Sequence, residues 1–409
     1  MFLLVAPAVV LYSQGYRFDF DSKKITQTGG LFLKILPKQA EIYLDGELEE
    51  KTDFFFGSVL IENLLPKKYQ IKVVKEGYFP WEKTLEIKEK EVTEVKNIVL
   101  FPENLNFNII SQGVEKFWFS PNQRRIILQE LDETGWSLKL YDLDKSVKSH
   151  LINETNISKK GVDLIGLEFS ENSKEVSLKT AIAEQIKYFS LTLDKTPPTL
   201  TEAKQPATSS EDIIVSKKFN NDTYYLDNTG HLFKNEERLD EKPFPIQTET
   251  EYTLEIFPNF VFLKEGNTLY RFNPGLKSFE KFFDGEIKTL KISPDSEKLL
   301  LLSNYEICVL FLKDKLDQPQ RKAGEKILIS RLSEKIMDCL WVNPDYLIFN
   351  TQDKIRIIEI DDRDRINVIE IKNLPQITGE MEIFWNETDK NLYLLQQEIL
   401  YASGVLIPG

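Results

Sequence analysis

The chain has 409 residues, of which 41% are hydrophobic and 29% charged, a mix that folds, stays soluble and exceeds one ordinary core. A formal net charge of -13, with no Lys/Arg-rich stripe, argues against binding a phosphate backbone, so no nucleic-acid partner is expected. Two cysteines (Cys308, Cys339) and two histidines (His150, His231) exclude a disulfide-stapled scaffold and a His-rich metal site.

Met1 to Leu11 is uncharged and almost wholly apolar, and Tyr12 to Phe20 then mixes aromatics with charge. A helix of about 12 residues rises only ~18 Å, short of the ~30 Å of a bilayer core. The run also lacks the basic n-region of a secretory signal. The reading taken is a membrane-anchor segment over 1–12, as the exit half of a longer helix. A signal-peptide apolar region and a buried N-terminal element are the alternatives. Residues 13–29 read as a linker ending in Gly29-Gly30.

From Leu31 the pattern turns to strands. Leu31 to Leu36 stops at Pro37, Ala40 to Leu44 runs into the hairpin signal Asp45-Gly46, and Tyr69 to Lys75 alternates apolar with polar. Thr84 to Ile87 and Val92 to Leu100 complete a set sized for a small β-sandwich. Phe54-Phe55-Phe56 is expected to include strand residues packing this core, with an exposed aromatic patch as the other reading.

Pro37 to Gly46, Leu64-Leu65-Pro66-Lys67-Lys68-Tyr69-Gln70-Ile71 and Lys75-Glu76-Gly77-Tyr78 resemble a PEGA domain over residues 30–101. Of the namesake tetrapeptide only Pro37 and Ala40 remain. The resemblance implies a β-sandwich module, commonly extracytoplasmic and fused to other domains or a membrane anchor, with no catalytic residues to carry over.

Beyond Phe101-Pro102, a phrase recurs: a short apolar strand, a polar turn, a second apolar strand. It reads Phe119-Ser120-Pro121-Asn122, Phe169-Ser170-Glu171-Asn172, Ile292-Ser293-Pro294-Asp295, Val342-Asn343-Pro344-Asp345 and Trp385-Asn386-Glu387-Thr388. A spacing of roughly 40 to 50 residues is the period of propeller blades. About seven units fit residues 105–409, starting near Val114, Asp163, Ile213, Leu254, Glu286, Ile336 and Glu380. Leu105 to Ile110 is predicted to pair with Ile399 to Val405 and close the ring, and Phe101 to Gly113 to link two independently folding units. The phrase resembles the repeats of TolB-like propellers, without the glycine usual after the Asp, where Ser296 and Tyr346 stand. The fold class expected is all-β.

No site emerges. Gly-x-Ser-x-Gly, His-Glu-x-x-His and a phosphate-binding Gly loop are missing from the sequence, so no catalytic, cofactor-binding or metal residue is assigned and no enzyme is expected. Ile360-Asp361-Asp362-Arg363-Asp364-Arg365 reads as the solvated turn of an outer hairpin rather than a calcium loop. Trp118, Trp341 and Trp385 read as inter-blade packing rather than a sugar platform. Cys308 and Cys339 read as two buried free thiols, with a cross-blade disulfide as the alternative. The function expected is that of a membrane-anchored, extracytoplasmic binding or scaffold protein of the cell envelope. Its partner would be an envelope protein or a cell-surface polysaccharide. A propeller enzyme using channel carboxylates on glycans or peptides, and a structural surface-layer component, are the rivals.

Overall fold

The computed structural model describes residues 9–20, 23–133, 135–195, 197–203, 212–220, 222–376 and 379–408. Met1 to Ala8 of the apolar N-terminal run and Pro206 of the linker after the second repeat therefore lie outside the described residues. Residues 9–13 are helical. Among the described residues no helix is long and apolar enough to cross a membrane. The stretch read as a linker instead holds a two-stranded hairpin, Tyr16–Asp19 paired with Lys24–Gln27.

The N-terminal module is a two-layer sandwich. A three-stranded sheet places Gly29–Leu36 between Ser58–Leu64 and Val92–Val99, and a four-stranded sheet orders Glu47–Lys51, Glu41–Leu44, Lys68–Val74 and Trp81–Glu86. Alternation sends Leu31, Leu33 and Ile35 inward from one sheet and Ile42, Leu44, Ile71 and Val73 from the other into one core. Asp45 and Gly46 both take positive φ, as the hairpin signal requires, and Asp45 Oδ1 accepts the amide of Gln70 at 2.9 Å.

The three phenylalanines are not core strand residues. Phe54, Phe55 and Phe56 form a turn and are 65%, 73% and 74% exposed. Asp53 holds that turn by accepting the amides of Phe55 (2.8 Å), Phe56 (2.5 Å) and Ser58 (2.9 Å). Gly57 sits at φ +66°, where a Cβ would lie 2.5 Å from the carbonyl oxygen of Ile35. The chain must turn sharply there, and the rings are left outside.

Among the described residues seven four-stranded antiparallel sheets follow, within 114–153, 162–203, 213–238, 252–284, 289–331, 338–370 and, for the last, 382–405 with 107–112. The last takes its fourth strand from Phe107–Gln112, which pairs antiparallel with Ile399–Val405. Apolar clusters bridge the first sheet to the second and the third to the fourth. Others join the fourth to the fifth, the fifth to the sixth, the sixth to the seventh and the seventh back to the first. These clusters join every neighbouring pair but the second and third, and sheets that follow one another and close last onto first are the arrangement of a β-propeller. Each sheet is therefore a blade, and its first strand faces the axis. Inter-blade ion pairs join those inner strands, Lys217 to Glu255 (3.5 Å) and Lys291 to Asp338 (2.6 Å).

Trp341 is buried in the cluster shared with the fifth blade and donates Nε1–H to the carbonyl oxygen of Lys291 at 3.0 Å. Trp385 lies in the cluster of the sixth and seventh blades, and Trp118 packs against that of the first and second. Cys308 and Cys339 are free and buried.

The stretch after the sandwich packs against the propeller. Phe101 and Leu105 are buried in the cluster of the sixth and seventh blades, and the Phe101 ring meets Tyr346 edge-on at 5.2 Å. The acidic run is the turn between the third and fourth strands of the sixth blade, as expected, with Asp364 and Arg365 exposed, but the sandwich docks on it. Lys83 of the sandwich lies 2.6 Å from Glu359 Oε1 and donates to the carbonyl oxygens of Asp361 (2.8 Å) and Arg365 (2.9 Å). Asp364 Oδ2 accepts the amide of Thr84 at 2.7 Å, and Arg365 pairs with Glu82 at 2.8 Å. Consecutive charges that sequence spacing assigns to solvent are here the partners of a sandwich strand.

Candidate functional site

The docked sandwich leaves a cleft against the fifth and sixth blades. It has a volume of about 410 Å³ and is walled by Lys34, Leu36 and Lys96–Val99 on one side. Asp295, Lys298, Phe311, Lys313, Lys315 and Asn343-Pro344-Asp345 form the other. A small pocket of about 40 Å³ adjoins it, sharing Lys315 and Asp345 and adding Asp361 and Arg363. A concave site between two modules, with an apolar floor and a few polar groups, is the usual form of a small-ligand site.

Most charges here are spoken for. Lys298 pairs with Asp295, Lys96 with Glu94 (2.8 Å) and Asp317 (3.0 Å), and Arg363 with Asp361 (2.6 Å). Burial works against the charge on Asp361 and Asp295, but Arg363 with Lys83, and Lys298 with Ser293 and the Glu297 amide, together outweigh it and hold both carboxyls below the usual range. Two groups differ. Among the described residues neither the Lys315 ammonium nor the Asp345 carboxylate has a hydrogen bond or an ion pair within 4 Å. Burial raises Asp345, with Asp295 and Asp361 adding to it and Lys298 and Lys315 opposing. Burial also lowers Lys315, against the pull of Asp345 and Asp361. An acid held up and an amine held down in one cleft mark a functional-site candidate.

The blade turns explain why Asp345 is free. In the first, second and fifth blades the third residue of the turn phrase caps the turn. Asn122, Asn172 and Asp295 accept the amides of Arg124, Lys174 and Glu297, and the hydroxyls of Ser120, Ser170 and Ser293. In the sixth blade the turn is shorter, with Asn343 directly opposite Tyr346. Asn343 Oδ1 accepts the Asp345 amide at 2.8 Å and takes over the cap. Asp345 keeps its place in the phrase and loses its structural task.

The residue after the cap adopts a left-handed conformation in four blades, at Gln123, Ser173, Ser296 and Lys390 (φ 54°, 58°, 57° and 59°). The turn geometry that favours glycine is thus kept without glycine.

Sequence reading singled out the phrase but assigned Asp345 no role, and it missed Lys315, which lies in an irregular loop. The signal available was the two-residue shortening of the sixth turn. Among the described residues there is no group of three or more His, Cys, Asp or Glu able to hold a metal. In the channel, burial and then Asp338 raise Glu382, while Lys116 opposes.

The PEGA domain family matches residues 28–100, the span of the sandwich. That module is a PEGA domain. No curated protein matches the chain in sequence. Among solved structures, the chain is similar to YCF48 bound to D1 peptide, with a TM-score of 0.45, 12% identity and coverage of 75% of this chain and 96% of that one. It is also similar to YCF48 from Cyanidioschyzon merolae (0.45, 8%, 73% and 98%) and to the WD40 domain of SCAP from fission yeast (0.41, 10%, 74% and 98%). These scores lie below 0.5, so the propeller assignment rests on the seven sheets and their closure.

Proposed function

We propose that the chain is a membrane-anchored, extracytoplasmic binding or scaffold protein of the cell envelope, non-catalytic, with a TolB-like propeller. The supporting observations are the PEGA domain over 28–100, the apolar run at the N-terminus and the recurring Ser-Pro-Asp turn. One observation carries the binding role: in the cleft where the PEGA domain meets the fifth and sixth blades, the half-buried Lys315 and Asp345 are without a partner among the described residues. Unpartnered groups in a cleft cost stability, and a ligand or partner repays it. An envelope protein or a cell-surface polysaccharide is the partner class.

Protease added outside intact spheroplasts tests the location, in cells expressing the chain from its own locus. Digestion of a membrane-bound chain is expected; a protease-resistant chain in the soluble cytosolic fraction overturns the envelope reading.

A rival reading has one observation behind it. Glu382 lies on an inner strand of the propeller with its carboxyl raised by burial and by Asp338, as a channel acid would need. Turnover of glycan or peptide substrates that Glu382→Gln abolishes would establish that rival.

A further inference from the structure

The cleft offers one half-buried cation and one half-buried anion that do not satisfy each other, beside an apolar lining. Leu36, Ile98, Val99 and Phe311 supply that lining, and Lys315 and Asp345 line the same cleft. A ligand with a single charge would satisfy one of the pair and leave the other desolvated, which forfeits much of the gain. A purely apolar ligand would bury both. A ligand carrying an amine and a carboxylate at the ends of a short hydrocarbon spacer meets all three features at once. About 410 Å³ suits a small molecule or the end of a chain, not a folded partner.

We propose that this cleft binds amino-carboxylate zwitterions, with the ligand amine donating to Asp345, its carboxylate accepting from Lys315 and its spacer lying against Phe311 and Ile98. This rests on the reading of the junction cleft as the ligand site of a binding protein. Of the other charges facing the pair, Asp295 pairs with Lys298 and Asp361 with Arg363, so these four shape the field without offering a free group. The Lys34 ammonium also lines the cleft without a partner among the described residues, but it is exposed and screened by solvent. The same ligand chemistry occurs in free amino acids and in the terminal or branch residues of peptides.

The test uses the full chain and a graded series of free ligands: glycine, β-alanine, 4-aminobutyrate and 6-aminohexanoate, titrated by calorimetry. Saturable one-to-one binding of at least one member is expected, with the optimum length reporting the separation of the two groups. The N-acetyl derivative and the methyl ester of the best member should each bind at least about tenfold more weakly, because a hydrogen bond to a charged group is lost. Asp345→Asn and Lys315→Met should show the same loss while their circular dichroism stays that of the wild type. The derivatives are tested on the wild-type protein, so the result stands even where a variant folds poorly. A short peptide with a C-terminal lysine or shorter diamino acid keeps a free side-chain amine and a free α-carboxylate; binding tighter than the free ligand would assign the peptide source, and weaker binding would assign the free amino acid.

Absence of binding across the series overturns the proposal. So does equal binding of the N-acetyl or ester derivative, or unchanged binding by the two folded variants. Equal binding of a singly charged derivative would overturn the zwitterion while keeping the cleft as a site. The envelope location fails or stands separately, on the spheroplast result.

Discussion

Lys83 Nζ lies 2.6 Å from Glu359 Oε1, and the two side chains, 0% and 4% exposed, belong to different modules. Lys83 sits on the last strand of the four-stranded PEGA sheet, and Glu359 ends the third strand of the sixth blade. Glu359 is fully engaged: Trp81 Nε1–H donates to Oε2 at 2.8 Å, and the Asn367 amide and side chain donate to Oε1 at 2.9 and 2.7 Å. A buried pair satisfied on every side is costly to break from one end.

Lys83→Met should therefore destabilise the chain by about 3–5 kcal/mol, since it strands Glu359 without its cation. Urea unfolding measures it. A loss below about 1 kcal/mol, the range of exposed pairs, would show that the two modules do not depend on this contact.

Asp345 and Lys315 should cost stability in the absence of ligand. The folded value of Asp345 lies above its unfolded one, so the penalty is present at neutral pH and fades as pH falls toward the unfolded value near ~3.9. Lys315 is lowered, so its penalty is present at neutral pH and fades as pH rises toward the unfolded value near ~10.4. Asp345→Asn and Lys315→Met should each raise the thermal midpoint at pH 7, the first losing its advantage in acid and the second in base. Lower midpoints at pH 7 would mean that each group has a partner in the free protein.

Asp361 has the opposite sign. Burial opposes its charge, but Arg363 with Lys83 overcomes that and holds the carboxyl below its ordinary value. The stability it contributes is present above the unfolded value and is lost as pH falls through the folded one. Asp361→Asn should flatten the fall of stability below about pH 4. An unchanged acid limb, measured by urea midpoints from neutral pH downward, would contradict the assignment.

Ser173 takes a left-handed conformation (φ 58°), and its buried hydroxyl oxygen has no hydrogen-bond partner among the described residues. Ser173→Gly relieves both, and a gain of about 1 kcal/mol is expected from the backbone alone. Chemical denaturation reads it, and a loss would mean the hydroxyl packs usefully.

The aromatic turn separates surface from scaffold. Phe55→Ser should change stability by no more than about 0.5 kcal/mol, because the ring touches mainly its neighbours. Asp53→Ala should cost about 1–2 kcal/mol, because three amides lose their acceptor. Equal effects would put the rings back into the core.

The parts legible in the sequence are those that local chemistry dictates. Asp45-Gly46 announced its hairpin, the turn phrase announced five blades, and Phe107–Gln112 closes the ring against the strand that the unpaired edge demanded. The lone triplet Phe54–Phe56 misled, because ring hydrophobicity says nothing about a turn pinned by the preceding aspartate. The run from Asp361 to Arg365 misled for a different reason: its partners Glu82, Lys83 and Thr84 lie some 280 residues away in sequence. The junction cleft was illegible on the same ground, as Lys315 and Asp345 become a pair only once three elements meet.

The central claim is that the PEGA domain and the propeller are one docked body, whose junction forms the cleft. Spin labels at Leu48 of the PEGA domain and Ile186 of the second blade, both about half exposed, test it by pulsed dipolar distance measurement. A single narrow distribution is expected in the wild type, broadening in Lys83→Met. A broad distribution in the wild-type chain would contradict the docked arrangement and the cleft with it.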